Sequence, residues 1–194
     1  MTIQQVIDDV KYSELKQLAV KTDDKAIISF INLGLIELYK RFPLKAVEVI
    51  IELNEYDTIY TLPEDCISII GILGEDGKYY NVNDESYNLT IMTPSYNTIQ
   101  VPEPREGMAI GVKYSALPVP VVEKTDTLPL NKSFLSALYS YIGYKGHTTV
   151  NSNVKGENNT HYMRFESACA QVEKLGIITS EDVVTSKLED RGFV

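Results

Sequence analysis

Apolar side chains recur every three to four residues toward both ends of this chain and every second residue through its middle. Ile3, Val6, Ile7 and Val10 lie at helical spacing, and Leu15, Leu18 and Ala19 carry the stripe past a break near Tyr12–Ser13. Thr22, Asp23 and Asp24 offer N-cap oxygens to a second helix. Its stripe is Ile27, Phe30, Ile31, Leu35, Leu38, Tyr39 and Phe42, widened by Ile28, Leu33 and Ile36 and stopped by Pro43. Gly34 at its centre, about 1 kcal/mol worse than alanine in a helix, marks a close approach of another helix.

After Pro43 the period becomes two. Val47, Val49 and Ile51 alternate with Glu48, Ile50 and Glu52, giving a strand with one acidic face. Residues 58–62 and 67–73 read as further strands, the latter largely buried. Asp76-Gly77 signals a hairpin into Lys78–Tyr80, and residues 87–92, 98–101 and 108–114 supply shorter runs. Together they predict a small antiparallel sheet of about five to seven strands. Helical period returns at Asn131, an N-cap, with Phe134, Leu135, Leu138, Tyr141 and Ile142 as its stripe. Ser133, Ser136, Ala137, Ser140 and Gly143 form a ridge of small side chains beside it. A polar loop at 151–159 leads to a last helix bearing Tyr162, Phe165, Ala168, Cys169, Val172 and Leu175, with Gly176 as its αL cap. In residues 177–194, Ser180–Asp182 open a short helix bearing Val183, Val184 and Leu188. With Ile177, Ile178, Phe193 and Val194, these side chains mark a segment that packs on its own body or on a partner.

The fold class is therefore α+β. A helical bundle of residues 1–44 and 124–176 holds an inserted β domain at 45–123, and 177–194 form an extended tail. No internal repeat is visible.

Charge sharpens this division. The 194 residues are 44 % hydrophobic and 23 % charged, with a net charge of −9. Residues 45–123 hold four basic and thirteen acidic side chains and so carry the whole imbalance. A protein that grips nucleic acid needs a basic stripe, and none exists. The acidic middle is either a solvated face or a surface that repels a passing polyanion. No run of about 20 apolar residues spans a membrane, and the first residues lack the basic start and apolar core of a secretory signal.

Catalytic constellations are missing. His147 and His161, with Glu157 one turn before the latter, sit in or beside the polar loop and read as solvated; no HExxH spacing supports a metal. Gly71, Gly74 and Gly77 lack the Lys-Ser/Thr and the helix of a phosphate loop. Glu64-Asp65 and Glu75-Asp76 sit in turns, as solvated caps. Cys66 and Cys169 read as small buried hydrophobes. Tyr79, Tyr80, Tyr87 and Tyr96 in the sheet, and Tyr139, Tyr141 and Tyr144 in one helix, fit packing and protein interfaces better than base stacking, for which the charge is wrong. The expectation is a protein without enzymatic activity, cofactor or metal.

Three stretches, in order, resemble the head-to-tail connector (adaptor) proteins of tailed bacteriophages, including the tail tubular A proteins of short-tailed phages. The first is Ile27-x-x-Phe30-Ile31-Asn32-x-Gly34-x-x-Glu37-Leu38-Tyr39, closing at Phe42-Pro43. The second is Tyr60-Thr61-Leu62-Pro63-Glu64-Asp65, followed by Ile67-x-Ile69-Ile70-x-Ile72 and Glu75-Asp76-Gly77. The third is Val101-Pro102-Glu103-Pro104-x-x-Gly107, then Ile110-x-Val112-x-Tyr114-x-Ala116-x-Pro118 and Phe134-x-x-Ala137-Leu138-x-x-Tyr141. The resemblance implies a virion protein assembled in the host cytoplasm as a ring, commonly of twelve copies, at the portal–tail junction. Its implied partners are itself, the portal protein and a downstream tail or second ring protein, with double-stranded DNA passing through without specific binding and no membrane. Through that resemblance Gly34, Ser136, Ser140 and Gly143 become candidates for close packing within or between subunits. Ile177, Ile178, Val183, Val184, Leu188, Phe193 and Val194 become a docking segment. Glu64, Asp65, Glu75, Asp76, Glu103 and Glu106 become acidic residues facing a channel. A tail-associated adhesin or carbohydrate-binding module using the tyrosines of residues 79–114 is the alternative.

Overall fold

The computed structural model describes residues 1–74, 77–84, 90–150 and 155–176. Glu75, Asp76, Tyr87 and the whole of 177–194, with the short helix expected there, lie outside them. The chain is α+β, with helices from both ends of the sequence and strands between. It divides into two compact units, one of residues 1–41 with 118–176 and one of Phe42–Leu117.

In the helical unit, α1 (Ile3–Tyr12) opens on a capping box. Thr2 accepts from the Gln5 amide while the Gln5 side chain accepts from Thr2 N–H. The next orphan donors of that first turn, Ile3 and Gln4 N–H, reach the carbonyls of Asp126 and Lys124 at 2.9 Å each. Ile3, Val6, Ile7 and Val10 are buried. The break after Tyr12 is real: Leu15 and Leu18 stay buried, but on turns leading into a 3₁₀ segment (Ala19–Thr22), where Ala19 is exposed. Asp23 Oδ1 caps α2 (Asp24–Arg41) by accepting from Ala26 N–H at 3.1 Å. α3 (Leu135–Val150) follows a 3₁₀ turn capped by Asn131, whose Oδ1 accepts from Ser133 N–H at 3.0 Å. α4 (Lys155–Lys174) starts inside the expected polar loop, because a helix built on the Phe165–Val172 stripe propagates upstream through residues with no apolar face of their own. It ends where Gly176 takes φ 60°.

Residues 118–123, expected with the strands, belong to the helical unit. The cause is Asn32 on α2: its Nδ2 donates to Val121 O and its Oδ1 accepts from Val121 N–H, both at 2.9 Å. One side chain thus imitates a β-partner and clamps the strip onto the helix. Further along, Tyr39 Oη donates to Pro129 O at 2.6 Å.

In the other unit the strands are β1 (Ala46–Glu52), β2 (Ile59–Thr61), β3 (Cys66–Leu73), β4 (Met92–Ser95), β5 (Thr98–Gln100) and β6 (Ala109–Ala116). They form two three-stranded antiparallel sheets rather than one, in the orders β1-β6-β3 and β2-β5-β4. β6 is central because its Ile110, Val112 and Tyr114 face the core and both its edges are paired. Ile72 and Ile110 from the first sheet share one core with Ile99 from the second, sealed by Leu53, Leu62 and Ile91. β3 is less buried than its apolar run suggests. Irregularities between Cys66 and Ser68, and between Ile69 and Gly71, turn residues out of register and leave only Cys66 and Ile72 fully covered.

Candidate assembly surfaces

The small residues of the helices are spent on contacts inside the chain. A Cβ at Gly34 would stand 2.7 Å from Leu138 Cδ1 and 3.2 Å from Tyr141 Cδ1, so α2 and α3 meet closely there and a side chain at 34 would force Leu138 to shift. Gly143 is likewise occupied, by His161 Nδ1 at 2.7 Å and Glu14 Oε2 at 3.1 Å. Ser140 is buried and Ser136 is exposed. Of the four residues considered for packing, only Ser136 lies on a surface.

The histidines are half-buried rather than freely solvated as the polar loop suggests. Their rings stack 4.5 Å apart at 22°, and His161 Nδ1 lies 3.0 Å from Glu14 Oε2. Among the described residues no group of three His, Cys, Asp or Glu side chains stands close enough to hold a metal. Cys66 and Cys169 are both buried, and burial pushes the Cys169 thiol up to about 11. The helical tyrosines also turn inward. Tyr139 Oη donates to Asp9 Oδ2 at 2.8 Å, and Tyr141 packs edge-on against Tyr144 and Phe165, its phenol pushed up to about 12 by burial first and Glu37 second. Tyr79, Tyr80 and Tyr96 in the strand unit are exposed, and Tyr79 also lies over Gly71, where a Cβ would meet its ring at 2.7 Å.

The acidic candidates divide in two. Glu64, Glu103 and Glu106 are exposed. Glu103, at φ 51° between two prolines, lines an open cavity of about 400 Å³ with Leu53, Ile91, Val101 and Ile110. Asp65 is instead tied into the fold: it accepts from Tyr114 Oη at 3.1 Å and lies 3.6 Å from Lys45 Nζ.

Sheet edges are the feature that residue patterns missed. An edge strand offers a row of unpaired N–H and C=O groups to another chain, so proteins usually shorten or cover it. Three of the four edges here are so treated. β2 has three residues. β3 is covered by the stretch after Gly77, with Tyr80 N–H donating to Ile72 O at 2.8 Å and Lys78 O accepting from Gly74 N–H at 2.9 Å. β4 contains Pro94 and is covered by Asn83, whose N–H donates to Ile91 O and whose Oδ1 accepts from Thr93 N–H.

β1 is different. Its ladder to β6 is bracketed by Ala116 N–H to Lys45 O at 2.9 Å and Leu53 N–H to Met108 O at 2.8 Å. The alternation of an antiparallel ladder then assigns Val47, Val49 and Ile51 to β6. Ala46, Glu48, Ile50 and Glu52 direct their N–H and C=O groups the other way, and among the described residues no strand pairs with them. Their side chains form the exposed face of the strand, Ile50 being 72 % exposed, while Val47, Val49 and Ile51 flank the core only half-buried. The alternation of β1 was legible in the sequence; its position at an edge was not.

No helix of the described residues is long and apolar enough to cross a membrane. No curated protein matches the chain. A family profile described as SU10 adaptor protein matches residues 1–186, nearly the full length. By that match, and in agreement with the order of its sequence stretches, the chain belongs to the SU10 adaptor protein family, the structural adaptors of phage virions.

Proposed function

We propose that this chain is one subunit of a ring at the portal–tail junction, of the kind the tail tubular A proteins build, which joins capsid to tail and leaves a channel for the genome. The observation that carries the reading is the family match over residues 1–186. It is supported by apolar side chains presented to solvent in both units: Ile50, Tyr56 and Ile59 in one, Val119, Val122 and Met163 in the other. Contact surfaces of that number suit a subunit with several neighbours, and a closed ring needs two different faces on every copy. Twelve copies is the number the resemblance implies.

The exposed Glu64, Glu103 and Glu106, and with them Glu75 and Asp76, suit a wall that DNA passes without adhering, since like charge disfavours contact. Ile177, Ile178, Val183, Val184, Leu188, Phe193 and Val194 supply docking contacts. The subunit works by shape, without catalysis.

Negative-stain microscopy and mass measurement of the purified protein, alone and with portal protein, test this. Ring-shaped particles are expected; a protein that stays monomeric and ignores the portal overturns the reading. Deleting residues 177–194 should leave the fold intact and weaken docking.

A further inference from the structure

The open edge of β1 needs an occupant, and its charges narrow the choice. Two β1 edges paired antiparallel about Ile50 would set Glu48 of each copy opposite Glu52 of the other, and like charges directly opposite destabilise a sheet. In that register the edge disfavours its own kind, and its two glutamates favour a strand with a cation on the outer face and apolar residues on the inner one. Residues 183–188, Val-Val-Thr-Ser-Lys-Leu, read above as part of a short helix, also have that pattern when extended: β-branched residues lead, Val184 and Leu188 share one face, and Lys187 lies on the other.

We propose that residues 183–188 of a second copy add to β1 as an antiparallel strand, with Lys187 opposite Glu48. Thr185 then faces Ile50 and Val183 faces Glu52 on the outer side. On the inner side Val184 extends Ile51 and Leu188 extends Val47, covering the half-buried flank of the core. The antiparallel sense continues the sheet and is the more stable per residue. The inference rests on the ring reading and gives it a mechanism: the donor segment and the acceptor edge are different surfaces, so each copy donates to one neighbour and accepts from the other, and the contact closes a ring rather than a dimer.

The test uses full-length chains carrying single cysteines, Thr185→Cys in one preparation and Ile50→Cys in the other, mixed with portal protein and mildly oxidised. Residues exchanging both hydrogen bonds across an antiparallel pair have Cα atoms about 5.5 Å apart, within disulfide range, and buried Cys66 and Cys169 do not compete. A disulfide-linked dimer containing the 185–50 peptide is expected. Lys187→Glu in the donor should lower its yield by about threefold or more, and Glu48→Lys in the acceptor should restore it. Glu48→Pro added to the Ile50→Cys acceptor should abolish it, since that N–H points away from β6 and the ladder survives. Rings by microscopy without the 185–50 link overturn the proposal and leave the ring reading standing; no rings with portal overturn both. A link unaffected by charge reversal, a higher yield with Glu52→Cys than with Ile50→Cys, or a link forming within one chain that carries both cysteines, also overturns it.

Discussion

Replacing Asn32 by alanine tests whether one side chain holds the 118–122 strip on α2. Asn32 makes two hydrogen bonds of 2.9 Å to the backbone of Val121, a residue only 5 % exposed. Each bond contributes about 1 kcal/mol net, and leaving a covered N–H or C=O unpaired costs about 1–3 kcal/mol more. Some of that is recovered if water reaches the strip, so the expected loss is about 2–4 kcal/mol. With a urea m value near 2 kcal/mol/M, the unfolding midpoint followed by circular dichroism at 222 nm should fall by about 1–2 M at constant m. Asn32→Asp separates the clamp from mere volume. At neutral pH the introduced carboxylate still accepts from Val121 N–H but has lost its donor and opposes Val121 O, so this variant should be about as unstable as alanine. Protonation restores a donor, so the folded-state pKa of the introduced carboxyl is raised. The stability gap to wild type should close as pH falls below about 5 and reopen as pH rises through that pKa. A midpoint within about 0.2 M of wild type for Asn32→Ala, or an Asn32→Asp gap independent of pH, refutes the clamp.

The other predictions concern charge and burial. Arg41 joins α2 to α4 through Glu166 at 2.7 Å and Glu173 at 2.9 Å, all three partly exposed; Arg41→Met should cost about 1 kcal/mol or less, and the loss should shrink in 0.5 M salt. Hydrogen bonds from Lys11 and Lys124 hold Asp24 below its ordinary 3.8, and the Arg41 guanidinium holds Glu166 below 4.5. Depressed carboxylates contribute stability above their unfolded pKa values and lose it as pH falls through the folded ones. Urea midpoints should therefore be flat above about pH 5 and drop below about pH 4, less so in Asp24→Asn. Thiol titration should find Cys169, pushed to about 11 by burial, unreactive in the native protein at pH 8 and fully reactive in urea.

What the sequence revealed divides by range. The stripes of α1 and α2, the alternation of β1 and the caps at Asp23 and Asn131 are local patterns, and the structure repeats them. The pairing of strands is not local. Nothing in the run Ile67–Leu73 says that β6, forty residues on, takes its edge, or that β2, β4 and β5 leave for a second sheet. His161 looked solvated because its neighbours in sequence are polar, yet its partner, Glu14, is supplied by the other end of the chain. Asp65 looked like a loose turn acid for the same reason; Tyr114 and Lys45 commit it. Gly34 was legible because glycine weakens a helix interior by about 1 kcal/mol and a close helix contact offsets that loss. The contact it permits is to α3 of its own chain.

The distribution of charge bears on how copies come together. Between Phe42 and Leu117 twelve acidic side chains face four basic ones, whereas residues 1–41 and 118–176 together hold eleven acidic and twelve basic. Copies in a ring bring like-charged strand units near one another. One cation per donated strand does not neutralise that excess, so the strand unit opposes assembly electrostatically while apolar contacts and main-chain pairing favour it. Repulsion between exposed charges reaches about 30 Å at 0.01 M salt but only about 6–10 Å between 0.1 and 0.3 M, whereas burial of apolar surface does not weaken over that range. The fraction of protein in rings, read by mass photometry at fixed concentration, should therefore rise as salt increases from about 0.01 to 0.3 M. A fall over the same range would mean that ion pairs between copies outweigh the repulsion, and that the acidic unit faces a basic surface instead of its own kind.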